Sequence, residues 1–146
     1  SNGTTWQSTT PATSGGMTLL GTITPTAVNS LSLGSLTLTS YKSLFIVLNN
    51  IVLNTGKTAY ISSSNLQTGG GFFVATSGTA VYGTAWLDLT TGALGGGLAE
   101  STVTSTAANA IGGSTNVTTA STTIYFRMPS TNAFSAQGSI RIYGVT

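Results

Sequence analysis

The stretch that decides the fold is TAVYGTAWLDL, residues 79–89, because its side chains alternate strictly between two chemical kinds. One set is small or apolar: Val81, Gly83, Ala85, Leu87 and Leu89. The other set is polar or aromatic: Tyr82, Thr84, Trp86 and Asp88. A period of two residues is that of a β-strand with one face in a core. The stretch therefore predicts a strand whose outer face presents Tyr82 and Trp86, either as a binding shelf or as a subunit contact.

The rest of the chain repeats this pattern in short runs separated by Gly, Asn and Ser, and no stretch has the apolar spacing of an amphipathic helix. We predict these strands: Met17–Ile23, Leu31–Thr39, Lys42–Leu53, Thr58–Ser64, Gly71–Thr76, Thr79–Leu89, Ala99–Thr106, Thr122–Met128 and Ser139–Val145. We predict turns at three glycine-rich segments: Thr68–Gly71, Thr91–Gly97 and Ile111–Asn116. Such a pattern is typical of an all-β sandwich or barrel, and we expect an antiparallel, jelly-roll-like β-sandwich.

Two of these strands carry information about their surroundings. In Leu31–Thr39 the apolar positions change from odd to even numbers across Gly34 and Ser35, which predicts a bulge or a bend. The run Leu44–Leu48 is apolar on both faces, so both faces need a cover. That second cover is either a neighbouring subunit or a loop of the same chain.

The composition excludes several kinds of function. Only 4% of the 146 residues are charged, and there is no His and no Cys, whereas an ordinary domain carries about 25% charged residues. Histidine triads, thiolate nucleophiles and zinc fingers are therefore excluded, and we expect no cofactor and no metal site. Four basic residues cannot neutralise a phosphate track, and no apolar run approaches the ~20 residues of a membrane span. We expect neither nucleic acid binding nor membrane insertion, and a chain with so few charges favours a place in a larger assembly.

Enzymatic chemistry has few residues to work with. Asp88 and Glu100 are the only acids, and a glycosidase pair needs both carboxyl groups in one cleft, about 5 to 10 Å apart. The ordinary use of two acids among four basic groups is ion pairing. We therefore predict a protein that is not an enzyme.

Two groups of side chains are candidates for contacts with other molecules. Sugar binding needs an aromatic face together with hydrogen-bonding side chains, and the receptor-binding candidates are Asn54, Lys57, Tyr82, Trp86, Asp88, Asn132 and Phe134. For Phe134 the alternative is a core position at a strand end, and for Trp86 it is packing or a subunit contact.

The last two strands resemble each other, since Tyr and Arg point away from the apolar set in both. If those strands pair, their arginines lie close together, and a Tyr–Arg surface is typical of interfaces. The subunit-contact candidates are Phe45, Val47, Tyr125, Arg127, Arg141 and Tyr143.

A family resemblance rests on both ends of the chain. The segment NGTTW, residues 2–6, with the Ser/Thr/Pro/Gly stretch after it, resembles the segment that joins shaft and terminal domain in bacteriophage tail fibre proteins. The end GSIRIYGV, residues 138–145, resembles the closing strand of fibre-tip domains, and residues 20–23 and 40–44 are similar in character to the early strands. The resemblance implies a connector over residues 1–16 and a tip domain over residues 17–146.

The same resemblance implies a function. Such tips are homotrimers that adhere, without catalysis, to a receptor on the bacterial host: a lipopolysaccharide, a capsule or another envelope polysaccharide, or an outer-membrane protein. We therefore expect the chain on the virion, acting outside the host cell. Two alternatives stay open: a purely structural virion module, such as a decoration or baseplate protein, and a glycan-degrading tailspike domain.

Overall fold

The computed structural model describes residues 16–55, 58–65, 70–74, 77–100, 109–129 and 131–146. Within these ranges the regular structure consists of strands, with no helix. The strands are β1 (Met17–Ile23), β2 (Ser30–Leu33), β3 (Ser43–Val52), β4 (Thr58–Ser62), β5 (Gly70–Val74), β6 (Ala80–Asp88), β7 (Ala93–Glu100), β8 (Asn109–Ser114), β9 (Ile124–Arg127) and β10 (Ser139–Val145).

The strands form two antiparallel sheets. The six-stranded sheet has the order β1-β10-β3-β6-β7-β8, and the four-stranded sheet has the order β2-β9-β4-β5. Apolar side chains alternate along the strands and form one buried core with residues from both sheets. Within it, the rings of Phe72 of β5 and Phe126 of β9, both from the four-stranded sheet, lie 5.4 Å apart. The predicted all-β, antiparallel fold is confirmed, and the two sheets are consistent with a β-sandwich.

Strand β3 shows how the sequence divides between core and outer face. Leu44, Ile46 and Leu48 are buried in the core, whereas Phe45 and Val47 between them are half-buried on the outer side. This strand is central in its sheet, between β10 and β6. Because the strand is apolar on both faces, one set of its apolar side chains lies in the core and the other set lies on the outer face.

The predicted change of face after Leu33 is confirmed as a bend. Strand β2 ends at Leu33, and Ser35 has a φ of 59°, a left-handed conformation that ends regular pairing. After the bend, Leu36 and Leu38 are buried, and the Leu36 amide donates to the Thr122 carbonyl at 2.9 Å. The prediction that one strand continues to Thr39 is wrong, because the bend takes the chain out of the sheet.

All three segments predicted as glycine-rich turns contribute residues to strands. Of the first, Gly70 and Gly71 belong to β5, and residues 68–69 lie outside the described ranges. Gly95 to Gly97 lie within β7, and Gly112 and Gly113 lie within β8. Backbone pairing needs no side chain, and Gly95 pairs with Trp86 on one side and with Gly112 on the other. The prediction of a strand over Ala99–Thr106 was wrong in its bounds, since β7 begins earlier; residues 101–108 lie outside the described ranges.

The sandwich has two ends, which we name after residues of β1. The Met17 end contains the pairs Met17–Val145 and Ser43–Asp88, together with the β6–β7 turn. The Ile23 end contains the pairs Ile23–Ile140 and Val52–Ala80, together with the loops that follow β1, β3 and β9. Strand β1 thus begins and strand β10 finishes at the same end of the molecule.

Candidate functional site

One row of side chains crosses the outer face of the six-stranded sheet. Strand pairing aligns, from one strand to the next, Leu19, Tyr143, Phe45, Trp86 and Gly95. Directly opposed residues in antiparallel strands project to the same face. The ring centroids of Phe45 and Trp86 are 4.8 Å apart, and those of Phe45 and Tyr143 are 6.4 Å apart, which are favourable aromatic distances. We call these five residues the aromatic row, and the outer face that carries them the aromatic face.

The aromatic face also concentrates the exposed apolar side chains. Among the described residues, five large hydrophobic side chains are exposed, and four of them lie here: Met17 (56%), Leu19 (51%), Trp86 (46%) and Tyr82 (41%). The fifth, Val28, lies in the loop after β1. Contiguous apolar surface is rare on monomers and usually marks a contact with another molecule.

Next to Trp86, on strand β7, the aromatic face is formed by glycine residues that have no side chain. The pairing places Gly95 opposite Trp86 and Gly97 opposite Thr84. A Cβ atom added at Gly95 or Gly97 would meet no other atom within 4 Å. Gly96 between them is different, because its φ is +152° and a Cβ there would lie 2.3 Å from the Thr84 carbonyl oxygen. The backbone therefore requires glycine at position 96 and does not require it at positions 95 and 97.

The predicted subunit-contact residues are divided between two surfaces. Phe45, Val47, Arg141 and Tyr143 lie together on the aromatic face. Tyr125 and Arg127 belong to β9, which is in the other sheet, and there they point away from the core. The two arginines therefore do not lie side by side, because β9 and β10 do not pair. The sequence pattern showed which residues point outward but not which sheet carries each strand.

The outer face of the four-stranded sheet, which we call the polar face, is held by hydrogen bonds. Arg127 is paired with Ser30 and with Tyr60 in the sheet register. Its Nη1 donates to Asn65 Oδ1 at 2.8 Å, and the Ser30 hydroxyl donates to the same oxygen at 3.0 Å. Arg127 Nε is buried and has no hydrogen-bond partner. Arg127 therefore uses one of its N–H groups in a hydrogen bond within its own subunit.

Asp88, a predicted receptor-binding residue, organises the β6–β7 turn. Its Oδ1 accepts hydrogen bonds from the Thr91 amide at 2.7 Å, the Thr91 hydroxyl at 2.9 Å and the Thr90 amide at 2.9 Å. These bonds, those from Thr91 first, hold the pKa of the Asp88 carboxyl below its ordinary value. The sequence D-L-T-T-G after a strand is a turn signal that could have revealed this role.

A second group of predicted receptor residues meets at the Ile23 end. Asn54 makes two hydrogen bonds with the backbone of Ala133. The backbone N–H of Asn54 donates to the Ala133 carbonyl at 3.0 Å, and the side-chain Oδ1 of Asn54 accepts from the backbone N–H of Ala133 at 2.8 Å. The Thr55 hydroxyl donates to Asn132 Oδ1, and Asn132 Nδ2 is buried without a partner. Phe134 is only 1% exposed, so the structure places it in the core. Lys57 lies outside the described residues.

A polar cleft at the Met17 end had no counterpart among the sequence predictions. It encloses about 330 Å³ and is lined by Ser63, Asn116, Thr118, Ala120, Ser121 and Thr122. Asn116 Oδ1 accepts from the Ser63 amide at 2.8 Å and from the Ser62 hydroxyl at 3.0 Å. These two bonds fix the Asn116 side chain at the edge of the cleft.

The backbones of the two acidic residues lie at opposite ends of one hairpin. Asp88 ends β6 at the turn, while Glu100 is the last residue of β7 and pairs with Val81. Seven strand residues at about 3.3 Å each separate their backbones by about 23 Å. That spacing exceeds the about 5 to 10 Å between paired glycosidase carboxylates, so the two backbones are not arranged for the glycan-degrading alternative.

Comparison with protein-family models, with curated proteins and with solved structures gives no match for this chain. Among the described residues, no helix has the length and apolar character needed to cross a membrane. The candidate sites therefore stand on their own geometry: the aromatic face, the loop cluster at the Ile23 end and the polar cleft.

Proposed function

We propose that the chain is the receptor-binding tip of a bacteriophage tail fibre, carried on the virion and acting outside the host cell. In this proposal residues 1–16 connect the domain to a shaft, and residues 17–146 form a jelly-roll-like sandwich in a homotrimer. The tip adheres to a host-surface glycan and catalyses no reaction. The resemblance of residues 2–6 and 138–145 to fibre-tip proteins supports this proposal.

The strand order supports the jelly-roll-like part of the proposal. A jelly roll has eight strands in two sheets of four, and this architecture occurs in viral and sugar-binding proteins. Removing β7 and β8 leaves β1-β10-β3-β6 facing β2-β9-β4-β5. The first four strands alternate between these two sheets, and β5 then pairs with β4 in the smaller one. The β7–β8 hairpin then extends the larger sheet beyond an eight-strand core.

The observation that carries the adhesive role is the polarity of the sandwich. Strand β1 begins and β10 finishes at the Met17 end, so a shaft joined to the start of β1 leaves the Ile23 end free to face a cell. Exposed side chains in the described loops there include Thr26, Val28, Thr131 and Gln137, none of them charged. Hydroxyl and amide groups with a small apolar contact fit a neutral sugar, and three weak sites on one tip act together through avidity.

Binding of fluorescently labelled protein to a panel of bacterial strains tests the adhesive role. The informative variant is Val28→Asp, because Val28 is exposed at the Ile23 end. The matched control is Thr119→Asp, which adds the same charge at an exposed position of the turn before β9. We expect the wild-type protein and the control to stain at least one strain, purified envelope polysaccharide to compete, and Val28→Asp to lose most of the signal. Staining of no strain, or equal staining by both variants, contradicts the proposal.

The alternative of a purely structural virion module is favoured by the aromatic face, whose exposed Met17, Leu19 and Trp86 suit a permanent contact. A module of that kind leaves every bacterial strain unstained while still assembling. The same staining experiment therefore separates the two functions.

A further inference from the structure

The described part of the chain leaves the aromatic face open to solvent. Its exposed side chains come from β1 and β6, its half-buried ones from β3 and β10, and β7 adds bare backbone. We propose that this face packs against two other copies of the same chain around a three-fold axis that runs along the strands, with β1 of one copy against β7 of the next. The inference rests on the proposed homotrimer and specifies which surface builds it.

The two flanks of the face have complementary shapes. Leu19 projects from the β1 flank and is 51% exposed. Towards the opposite flank, Gly95 of β7 presents no side chain, and neither does its partner Gly112 in the edge strand β8. Leu19 and Gly95 belong to the aromatic row, so they lie at the same level along the strands. A three-fold rotation about an axis along the strands keeps that level, so the proposed packing can place Leu19 of one copy against Gly95 of its neighbour.

In the described part of the subunit, no contact requires glycine at positions 95 and 97. Gly95 and Gly97 have open space where a Cβ would stand, and their backbone is not left-handed. Glycine inside a strand weakens it, and often marks a place where another molecule approaches the backbone closely. A neighbouring copy that inserts Leu19 above Gly95 supplies that approach.

The size and charge of the face suit a subunit contact. Five strands at about 4.8 Å spacing and seven residues at about 3.3 Å give a face of about 550 Å² in plan, before the relief of the side chains adds to it. Stable complexes bury about 800 Å² per partner, and incidental contacts bury less than about 400 Å². The aromatic row itself carries no charge, since Arg141 and Asp88 lie in the rows on either side of it.

Sedimentation analysis of the full chain tests this packing with four proteins. Leu19→Asp puts a charge into the proposed contact, and Gly95→Leu adds bulk to the flat flank at a position where a Cβ atom meets no other atom within 4 Å. Val28→Asp is the matched control, because Val28 is an exposed apolar residue away from this face. We expect trimers for the wild-type protein and Val28→Asp, and folded single subunits for the other two, with dissociation constants raised about 100-fold or more. Circular dichroism and thermal unfolding establish that the dissociated variants are folded.

Exchanging the sizes of residues 19 and 95 tests whether these two positions contact each other between copies. Leu19→Gly combined with Gly95→Leu moves the bulk from one flank to the other, and we expect the double variant to recover trimers that Gly95→Leu alone does not form. Trimers that persist in both single variants, or a wild-type state other than three copies, overturn the inference.

The results also distinguish this inference from the proposed function. A trimer that stains bacteria but is insensitive to Leu19→Asp and Gly95→Leu keeps the adhesive role and removes this packing. A trimer that dissociates as expected but stains no strain keeps this packing and removes the adhesive role.

Discussion

The aromatic face and the polar face are built from strands with the same alternation of side chains, yet their outward-pointing side chains differ in chemical character. On the aromatic face, Phe45, Trp86 and Tyr143 touch one another and remain partly open to solvent. On the polar face, Arg127 Nη1 and the Ser30 hydroxyl both donate to Asn65 within the subunit, and only Arg127 Nε among these groups is left without a partner. Side chains that hydrogen-bond one another gain little from a partner molecule, whereas a face of exposed rings and leucine gains free energy when it is covered.

We expect the largest loss of stability when a charge is placed in the core. The comparison is the same charge at the next residue of β3, which faces outward. Ile46→Asp places a carboxylate at a fully buried position, and we expect a loss of about 5 kcal/mol in the free energy of unfolding. A loss of that size approaches the whole stability of a small domain. We expect no soluble, folded protein from this variant.

Val47→Asp is the comparison, because Val47 lies on the aromatic face and is only half-buried. We expect a folded subunit that no longer assembles, measured by circular dichroism and sedimentation. If both variants fold equally well, the division of β3 into a core side and an outer side is incorrect.

The second effect separates neighbouring glycines of β7. Gly96→Ala forces a side chain onto the Thr84 carbonyl oxygen at a left-handed φ, and we expect a loss of about 3 kcal/mol in the free energy of unfolding. Gly95→Ala meets no atom within 4 Å, and we expect a gain of about 0.5 kcal/mol. Urea unfolding of both variants in a Leu19→Asp background measures the subunit alone. Equal losses in the two variants would contradict the distinction between a glycine required by the backbone and one required by a contact.

The third effect compares one aromatic side chain from each face. Trp86→Ala removes the most exposed ring of the aromatic row, and we expect association to weaken by about 2 kcal/mol, or about 30-fold in the dissociation constant. Tyr125→Ala removes a half-buried ring from the polar face, and we expect the dissociation constant to stay the same. Sedimentation over a dilution series measures both. A larger effect from Tyr125→Ala would transfer the subunit contact to the polar face.

Strands could be predicted from the sequence where side chains carry the pattern, and not where the backbone alone determines the pairing. The bounds of β1 and β10 agree with the predicted Met17–Ile23 and Ser139–Val145, because side-chain alternation stops there at turn-forming residues. Strand β8 and most of β7 were not predicted, because glycine has no side chain to alternate. Their pairing is decided by the backbone and by the neighbouring strand.

The candidate site was only partly predictable for a related reason. Alternation identified Trp86, Phe45 and Tyr143 as outward-pointing, and strand pairing then brought them into one row. The same alternation in β9 and β10 could not show that Arg127 and Arg141 lie on opposite faces, since that depends on sheet order. Local patterns define the two faces of a strand, and long-range pairing defines which strands share a face.

The smallest effect is expected from pH, and it concerns the carboxylate at the edge of the aromatic face. Hydrogen bonds from Thr91 and Thr90 lower the pKa of Asp88 in the folded chain. Because the folded value lies below the unfolded one, Asp88 contributes stability above the unfolded value of about pH 4, and this contribution is lost as the pH falls through the folded pKa. We expect the urea midpoint of the wild-type protein to fall more steeply below about pH 4 than that of Asp88→Asn, whose amide oxygen can still accept the turn bonds. Arg127→Gln on the polar face should leave the slope unchanged, since arginine does not titrate in this range. A slope unchanged in Asp88→Asn would show that the turn does not depend on the charge of its carboxylate.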